Sequence, residues 1–176
     1  WRALKDAYDA GLTPRPCYFN PDLGTLVSDY LPLDHAQELD VDDIARLLHR
    51  IHRLPPRHHR LNLADRILRY EKQLEHMDRM PGDELRQHGE KVSRLLEEIS
   101  RQPGESVLCH NDLLRANRIY SGGKLWSIDW EYCAMASPWY DIAVIVNGDA
   151  LNEQTTEALL LSYLGRAPND WERGTL

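Results

Sequence analysis

Apolar residues recur three and four positions apart over long stretches of this chain, while shorter runs alternate with polar residues, so both helices and strands are expected. Leu4, Ala7 and Tyr8 share one helical face within residues 1–10, and Gly11 follows where a left-handed helix end is favoured. Cys17 to Phe19 and Gly24 to Tyr30 read as the strands of a hairpin, joined by the turn-rich segment Asn20 to Gly24. Leu31-Pro32-Leu33-Asp34 breaks this order and reads as a linker.

Three amphipathic helices come next. Asp40, with Asp43 three residues on, marks the cap of a helix whose apolar face is Val41, Ile44, Leu47, Leu48 and Ile51, and Leu54-Pro55-Pro56 ends it. A second helix opens near Asn62 and carries Leu63, Ile67, Tyr70, Leu74 and Met77, a stripe expected to be buried, with Pro81-Gly82 as its stop. The third, from about Asp83 to Ser100, repeats the pattern with Leu85, His88, Val92, Leu95 and Ile99. Ser106 to Cys109 then reads as a short strand. Arg118 to Tyr120 and Leu125 to Ile128 flank the two-glycine hairpin signal Ser121-Gly122-Gly123-Lys124. Pro138 opens a further helix through Val146, and a last one covers Thr155 to Leu164. The chain contains no internal repeat and no low-complexity segment.

Composition narrows the functional classes. At 176 residues, with 42% hydrophobic and 28% charged positions, one ordinary globular domain with a real core is expected. A formal net charge of −7 argues against binding phosphate backbones, so no nucleic-acid partner is expected. The apolar run Ile142 to Val146 is far too short to span a bilayer and no signal peptide is visible, so no membrane partner is expected either. Cys17, Cys109 and Cys133 are scattered without metal or disulfide spacing, which favours a reducing, cytoplasmic location.

The chemistry concentrates between Val107 and Asp141. His110-Asn111-Asp112-Leu113, with Asn117 five residues after Asp112, follows the catalytic-loop pattern of phosphoryl-transfer enzymes. Asp112 supplies an acceptor for the proton of an incoming hydroxyl. Asn117 and Asp129 supply hard oxygen ligands suited to magnesium, and the intervening hairpin brings them to one end. His110 braces the loop. The competing explanation for Asp112 and Asn117 is turn capping, which both residue types perform constantly. The order strand, loop, hairpin, Asp129 favours the catalytic reading.

These residues resemble a known family. Cys109-His110-Asn111-Asp112-Leu113, Asn117, Ile128-Asp129-Trp130-Glu131-Tyr132 and the stretch Pro138 to Asp141 resemble the aminoglycoside phosphotransferase and choline kinase family, and look most like bacterial choline and ethanolamine kinases. Gly11 to Pro14, Leu26 to Tyr30 and Leu48 to Pro55 extend the likeness more weakly. The resemblance implies an α+β, protein-kinase-like fold. Residues 1–31 are then the remnant of an N-lobe, its last helix, hairpin and hinge, and residues 32–176 a mostly helical C-lobe. It implies ATP and Mg2+ as cofactors, Asp112 as the catalytic residue, Asn117 and Asp129 as metal ligands, and the backbone of Asp29, Tyr30 and Leu31 as an adenine site at the hinge.

The implied acceptor is a small amino alcohol such as choline or ethanolamine, with an aminoglycoside or thiamine as alternatives. Aromatic faces and a carboxylate hold quaternary ammonium, and Tyr132 and Glu131 are the substrate candidates. Trp130 and Trp139 are expected in the core, and Asp141 is expected to anchor a loop or helix start. His49 and His52 stand at a metal-compatible spacing without a visible third ligand. Arg57-His58-His59-Arg60 is expected to be solvated.

A kinase of this type also uses a glycine-bearing loop and a paired strand Lys and helix Glu, and none of these is recognisable in the chain. Trp1 in place of Met, and an ending that reads as the start of another helix, make a partial sequence the expectation. Two hypotheses follow. One is an ATP-dependent small-molecule kinase; the other is a non-catalytic binding module of kinase ancestry, which completes a missing lobe through a partner or a homo-oligomer.

Overall fold

Helix α1 (Arg2–Asp9) buries Ala3, Leu4 and Ala7, while Tyr8 is 40% exposed. Gly11, at φ +65°, closes it: Leu12 N donates to Ala7 O and Gly11 N to Tyr8 O, each at 2.7 Å. This is the paired-bond ending that only a left-handed residue permits, as the placement of Gly11 predicts. Strands β1 (Pro16–Asn20) and β2 (Thr25–Ser28) follow as an antiparallel pair. Asn20 Oδ1 accepts from Asp22 N and Leu23 N at 2.9 and 3.1 Å, so a side chain rather than a glycine starts the turn.

The computed structural model describes residues 1–34, 40–77, 82–100 and 105–174. Two units are distinguished, Trp1–His59 with Ser106–Leu176, and Arg60–Glu105. In the first, α2 (Val41–His52) starts at Asp40, whose carboxylate accepts from Asp42 N and Asp43 N at 2.9 and 3.3 Å. Its stripe Ile44, Ala45, Leu47, Leu48 and Ile51 is buried against α6 (Glu153–Leu164), β3 (Val107–Cys109) and β5 (Lys124–Ser127). Leu48 and Ile51 have no exposed surface, and burying each contributes on the order of 2 kcal/mol.

Strands β4 (Arg118–Ser121) and β5 turn through Gly122 and Gly123 at φ +61° and +70°, the double positive φ of a two-residue hairpin. Asp34 pins that turn by accepting from both glycine amides, at 3.0 and 2.9 Å. β6 (Ala134–Ala136), which periodicity did not anticipate, pairs antiparallel with β3, Val107 opposite Ala136. α5 (Pro138–Gly148) has Pro138 in its first turn, and α6 ends at Gly165 with φ +67°. α7 (Asp170–Gly174) follows, Glu172 accepting from Arg166 and from Asn169 N, which holds its carboxyl down at about 2.

In the second unit, α3 (Leu63–His76) is capped by Asn62, which accepts from Asp65 N at 3.1 Å, and α4 spans Asp83–Ser100. The expected stripe is at most half-buried, at Leu63, Ile67 and Leu74. α3 contains no buried residue, Tyr70 and Met77 are more than half exposed, and Val92 and Leu95 of α4 are exposed. Spacing establishes a helical face but not what covers it. Leu85 and Ile99 lie outside the described side chains, and Pro81 outside the described residues.

Arg57 is also not solvated as expected. It forms an ion pair with Asp6, and its amide donates to Met135 Sδ at 3.2 Å. Helices with short two-stranded pairs make the chain α+β. Among the described residues no helix is long and apolar enough to cross a membrane.

Candidate active site

The loop after β3 is held from three sides. Asp141, fully buried on α5, accepts His110 N on Oδ2 at 2.9 Å and Asn111 N on Oδ1 at 2.7 Å. Asn111 is left-handed at φ +63°, a conformation that asparagine tolerates better than most residues. Its Nδ2 donates to Tyr132 O at 3.0 Å and Ala134 O at 3.3 Å, tying the loop to the segment before β6. His110 Nε2 donates to Ile128 O at 2.9 Å, next to Asp129, and the ring packs on Trp130 with centroids 4.8 Å apart. Burial pushes the His110 imidazole below its usual range, so the ring stays neutral and its Nε2 carries the hydrogen that the carbonyl requires. His110 therefore braces the loop by joining it to the stretch that carries Asp129.

Asp112 and Asn117 meet directly. Asn117 Nδ2 donates to Asp112 Oδ2 at 2.9 Å and to Asp112 O at 2.8 Å. Both bonds use the amide nitrogen, so the orientation of the amide is determined and its oxygen takes part in neither. The backbone of Asn117 receives Ile128 N at 2.9 Å, which brings the residue preceding Asp129 onto the same turn. Asp129 is exposed and left-handed at φ +64°. An amide oxygen and a carboxylate are hard donors, and this set fits Mg2+.

The other candidates lie nearby in the sequence but are less constrained. Glu131 and Tyr132 are exposed on the 3-10 turn Trp130–Tyr132, and the carbonyl of Tyr132 is tied to the loop. Trp130 is 5% exposed and belongs to the core, and Trp139 packs against that core and edge-on to Trp171, as expected of both.

Asp29, Tyr30 and Leu31 line a cleft of about 460 Å³ together with Tyr8, Thr13 and Trp126. The Asp29 side chain is engaged by Arg15, with bonds of 3.0 and 3.1 Å, and Arg15 holds its carboxyl below the usual range.

His52 does have an acidic neighbour, which the sequence did not reveal. Its Nε2 lies 3.2 Å from Asp141 Oδ2, and Cys109 Sγ lies in the same cluster. The cluster is not built as an ion site: both Asp141 oxygens accept backbone amides, and the Cys109 thiol, pushed up by burial, points to Ser137 O at 3.5 Å. His49 does not join it, stacking instead on Tyr163 at 4.5 Å.

With this geometry in view, comparison with known proteins is decisive at the family level. The model of the phosphotransferase enzyme family matches residues 2–176. The chain belongs to that family. Choline kinase LicA from Streptococcus pneumoniae shares 26% identity and a TM-score of 0.80 over 96% of this chain and 61% of that one. A LicA structure in complex with AMP gives 26% identity and a TM-score of 0.81 over 97% of this chain and 60% of the other. Protein LicA of Haemophilus influenzae is 38% identical over 55 residues, 31% of this chain and 21% of that protein. This phosphotransferase-family chain thus has the kinase-like α+β fold, and spans less than two thirds of the length of these relatives.

Proposed function

We propose that this chain carries the hydroxyl-orienting and metal-holding half of an ATP- and Mg2+-dependent kinase acting on a small amino alcohol of the choline or ethanolamine type. Residues 1–31 are read as the end of an N-lobe with its hinge, and residues 32–176 as a C-lobe. The observation that carries this reading is the Asp112–Asn117 pair, whose bonds turn the Asn117 oxygen away from Asp112 while Asp129 stands exposed one residue beyond the Asn117–Ile128 backbone bond.

In this reading the acceptor hydroxyl attacks the terminal phosphorus of ATP, the bond to the bridging oxygen breaks, and the hydroxyl proton passes to Asp112. Oδ2 of Asp112 is occupied by Asn117, and Oδ1 takes no part in that bond. Positioning of the nucleophile, together with electrostatic stabilisation of the phosphates, is what a protein adds to phosphoryl transfer. Asn117 and Asp129 would hold Mg2+, which neutralises charge across the phosphates. The backbone of Asp29 to Leu31 borders a cleft that this reading assigns to adenine, and the AMP complex of LicA supports nucleotide binding by a relative of this fold. Tyr132 offers an exposed ring and Glu131 an exposed carboxylate for a quaternary ammonium.

Calorimetric titration with ATP, with and without Mg2+, tests the metal assignment. Asp129→Ala is expected to weaken Mg2+-dependent binding at least about tenfold, the equivalent of about 1.4 kcal/mol. With choline as acceptor, Asp112→Ala is expected to lower turnover by about 10²- to 10⁴-fold. Binding that ignores both Mg2+ and Asp129→Ala, or transfer that survives Asp112→Ala, would sink the assignment.

A further inference from the structure

Tyr163 belongs to none of the motifs above, yet it sits at the end of a chain of hydrogen bonds that leads to the loop of Asp112. From α6 its hydroxyl reaches His52 Nδ1 at 2.9 Å, and its ring stacks on His49 with planes 10° apart. His52, with a side chain 6% exposed, turns Nε2 to Asp141 Oδ2 at 3.2 Å. Asp141 in turn spends both oxygens on the amides of His110 and Asn111. Side chains from α6, α2 and α5 thus converge on the backbone immediately before Asp112.

Elementary hydrogen-bond accounting places a hydrogen on one nitrogen of His52. A carboxylate only accepts, so His52 Nε2 must be the donor toward Asp141. Nδ1, the other ring nitrogen, is then satisfied by the Tyr163 hydroxyl, a group that can both donate and accept. Without that hydroxyl, Nδ1 is left poorly satisfied in a nearly buried ring, at a free-energy cost that reorientation of the ring or a rearrangement of its protons relieves. The other tautomer would set a bare Nε2 against a carboxylate oxygen and loosen Asp141 from its partners.

We propose that Tyr163 is a positioning residue for the loop that carries Asp112: its hydroxyl fixes His52 with the hydrogen on Nε2, and His52 so fixed keeps Asp141 seated on the amides of His110 and Asn111. The consequence for turnover rests on the phosphoryl-transfer reading; the hydrogen-bond relay does not.

Two substitutions separate the hydroxyl from the ring. Tyr163→Phe keeps the stack on His49 and removes the hydroxyl, whereas Tyr163→Leu removes both. The measurements are the nitrogen-15 shifts of the His52 imidazole and the hydrogen exchange of the His110 and Asn111 amides in the full chain. Tyr163→Phe is expected to change the His52 ring shifts and to speed exchange at both amides about tenfold, the scale of one lost buried hydrogen bond. Where turnover is measured, kcat falls while KM stays within about twofold, the pattern of an interaction made in the transition state. If Tyr163→Phe matches the unsubstituted chain in both shifts and exchange and only Tyr163→Leu departs from it, the ring acts by packing and the proposal is overturned. Altered shifts and faster exchange in a chain that never transfers phosphate uphold the relay and count against the kinase reading alone.

Discussion

Helices α2 and α3 each start from a capped first turn, Asp40 in one and Asn62 in the other, and each carries apolar side chains three and four positions apart. The first buries Ile44, Ala45, Leu47, Leu48 and Ile51; the second leaves Leu63, Ile67 and Leu74 half-buried and no residue fully buried. The difference does not lie in the helices. α2 is covered by α6, β3 and β5, segments that come from more than 50 residues further along the chain. A periodic stripe therefore identifies a helix and the face it offers, whereas burial depends on what the rest of the chain brings to that face.

Substitutions can break this contrast, the largest expected effect coming from the covered stripe. Leu48→Ala removes a side chain with no exposed surface, and is expected to cost about 3 kcal/mol in denaturant unfolding of the first unit. A loss below about 1 kcal/mol would mean that the core closes around the cavity and that coverage matters less than the structure implies. The two caps should behave alike despite the difference in burial, because capping is local. Asp40→Ala and Asn62→Ala are each expected to cost about 1 kcal/mol, read from the thermal unfolding of each helix by circular dichroism. A large inequality would show that one first turn depends on contacts beyond its cap. The smallest effect is expected from Leu68→Ala on α3, 49% exposed, at within about 0.5 kcal/mol. A cost of several times that in the same assay would reveal that the α3 stripe is covered in solution.

Local signals in the sequence are the legible ones. Asp40, Asn62, Pro138, Gly11 and the Gly122-Gly123 turn all stand where their backbone chemistry requires them, and Asp112 and Asn117 are joined as loop partners. What escaped is non-local. Strand β6 is three small or flexible residues, Ala134 to Ala136, with no alternation to announce it; it exists because β3 offers an edge. The partnership of His52 with Asp141 joins residues 89 apart on different helices, and no spacing rule reaches that far. Asp141 was expected to anchor a loop, but that it holds two successive amides of the candidate catalytic loop follows only from the fold. The left-handed turn at Asn111 had a legible trace, an asparagine directly before Asp112, and a polar residue able to adopt positive φ there could have been suspected.

The segment Arg60–Glu105 leaves the first unit and returns to it beside a single strand. His59 O accepts from Met135 N, and Val107 pairs with Ala136, so departure and return are stapled to adjacent residues of β6. An excursion whose two ends are clamped at one place can lengthen or shorten at little entropic cost. These helices can therefore be resized without shifting the register of β3 or the loop that follows it.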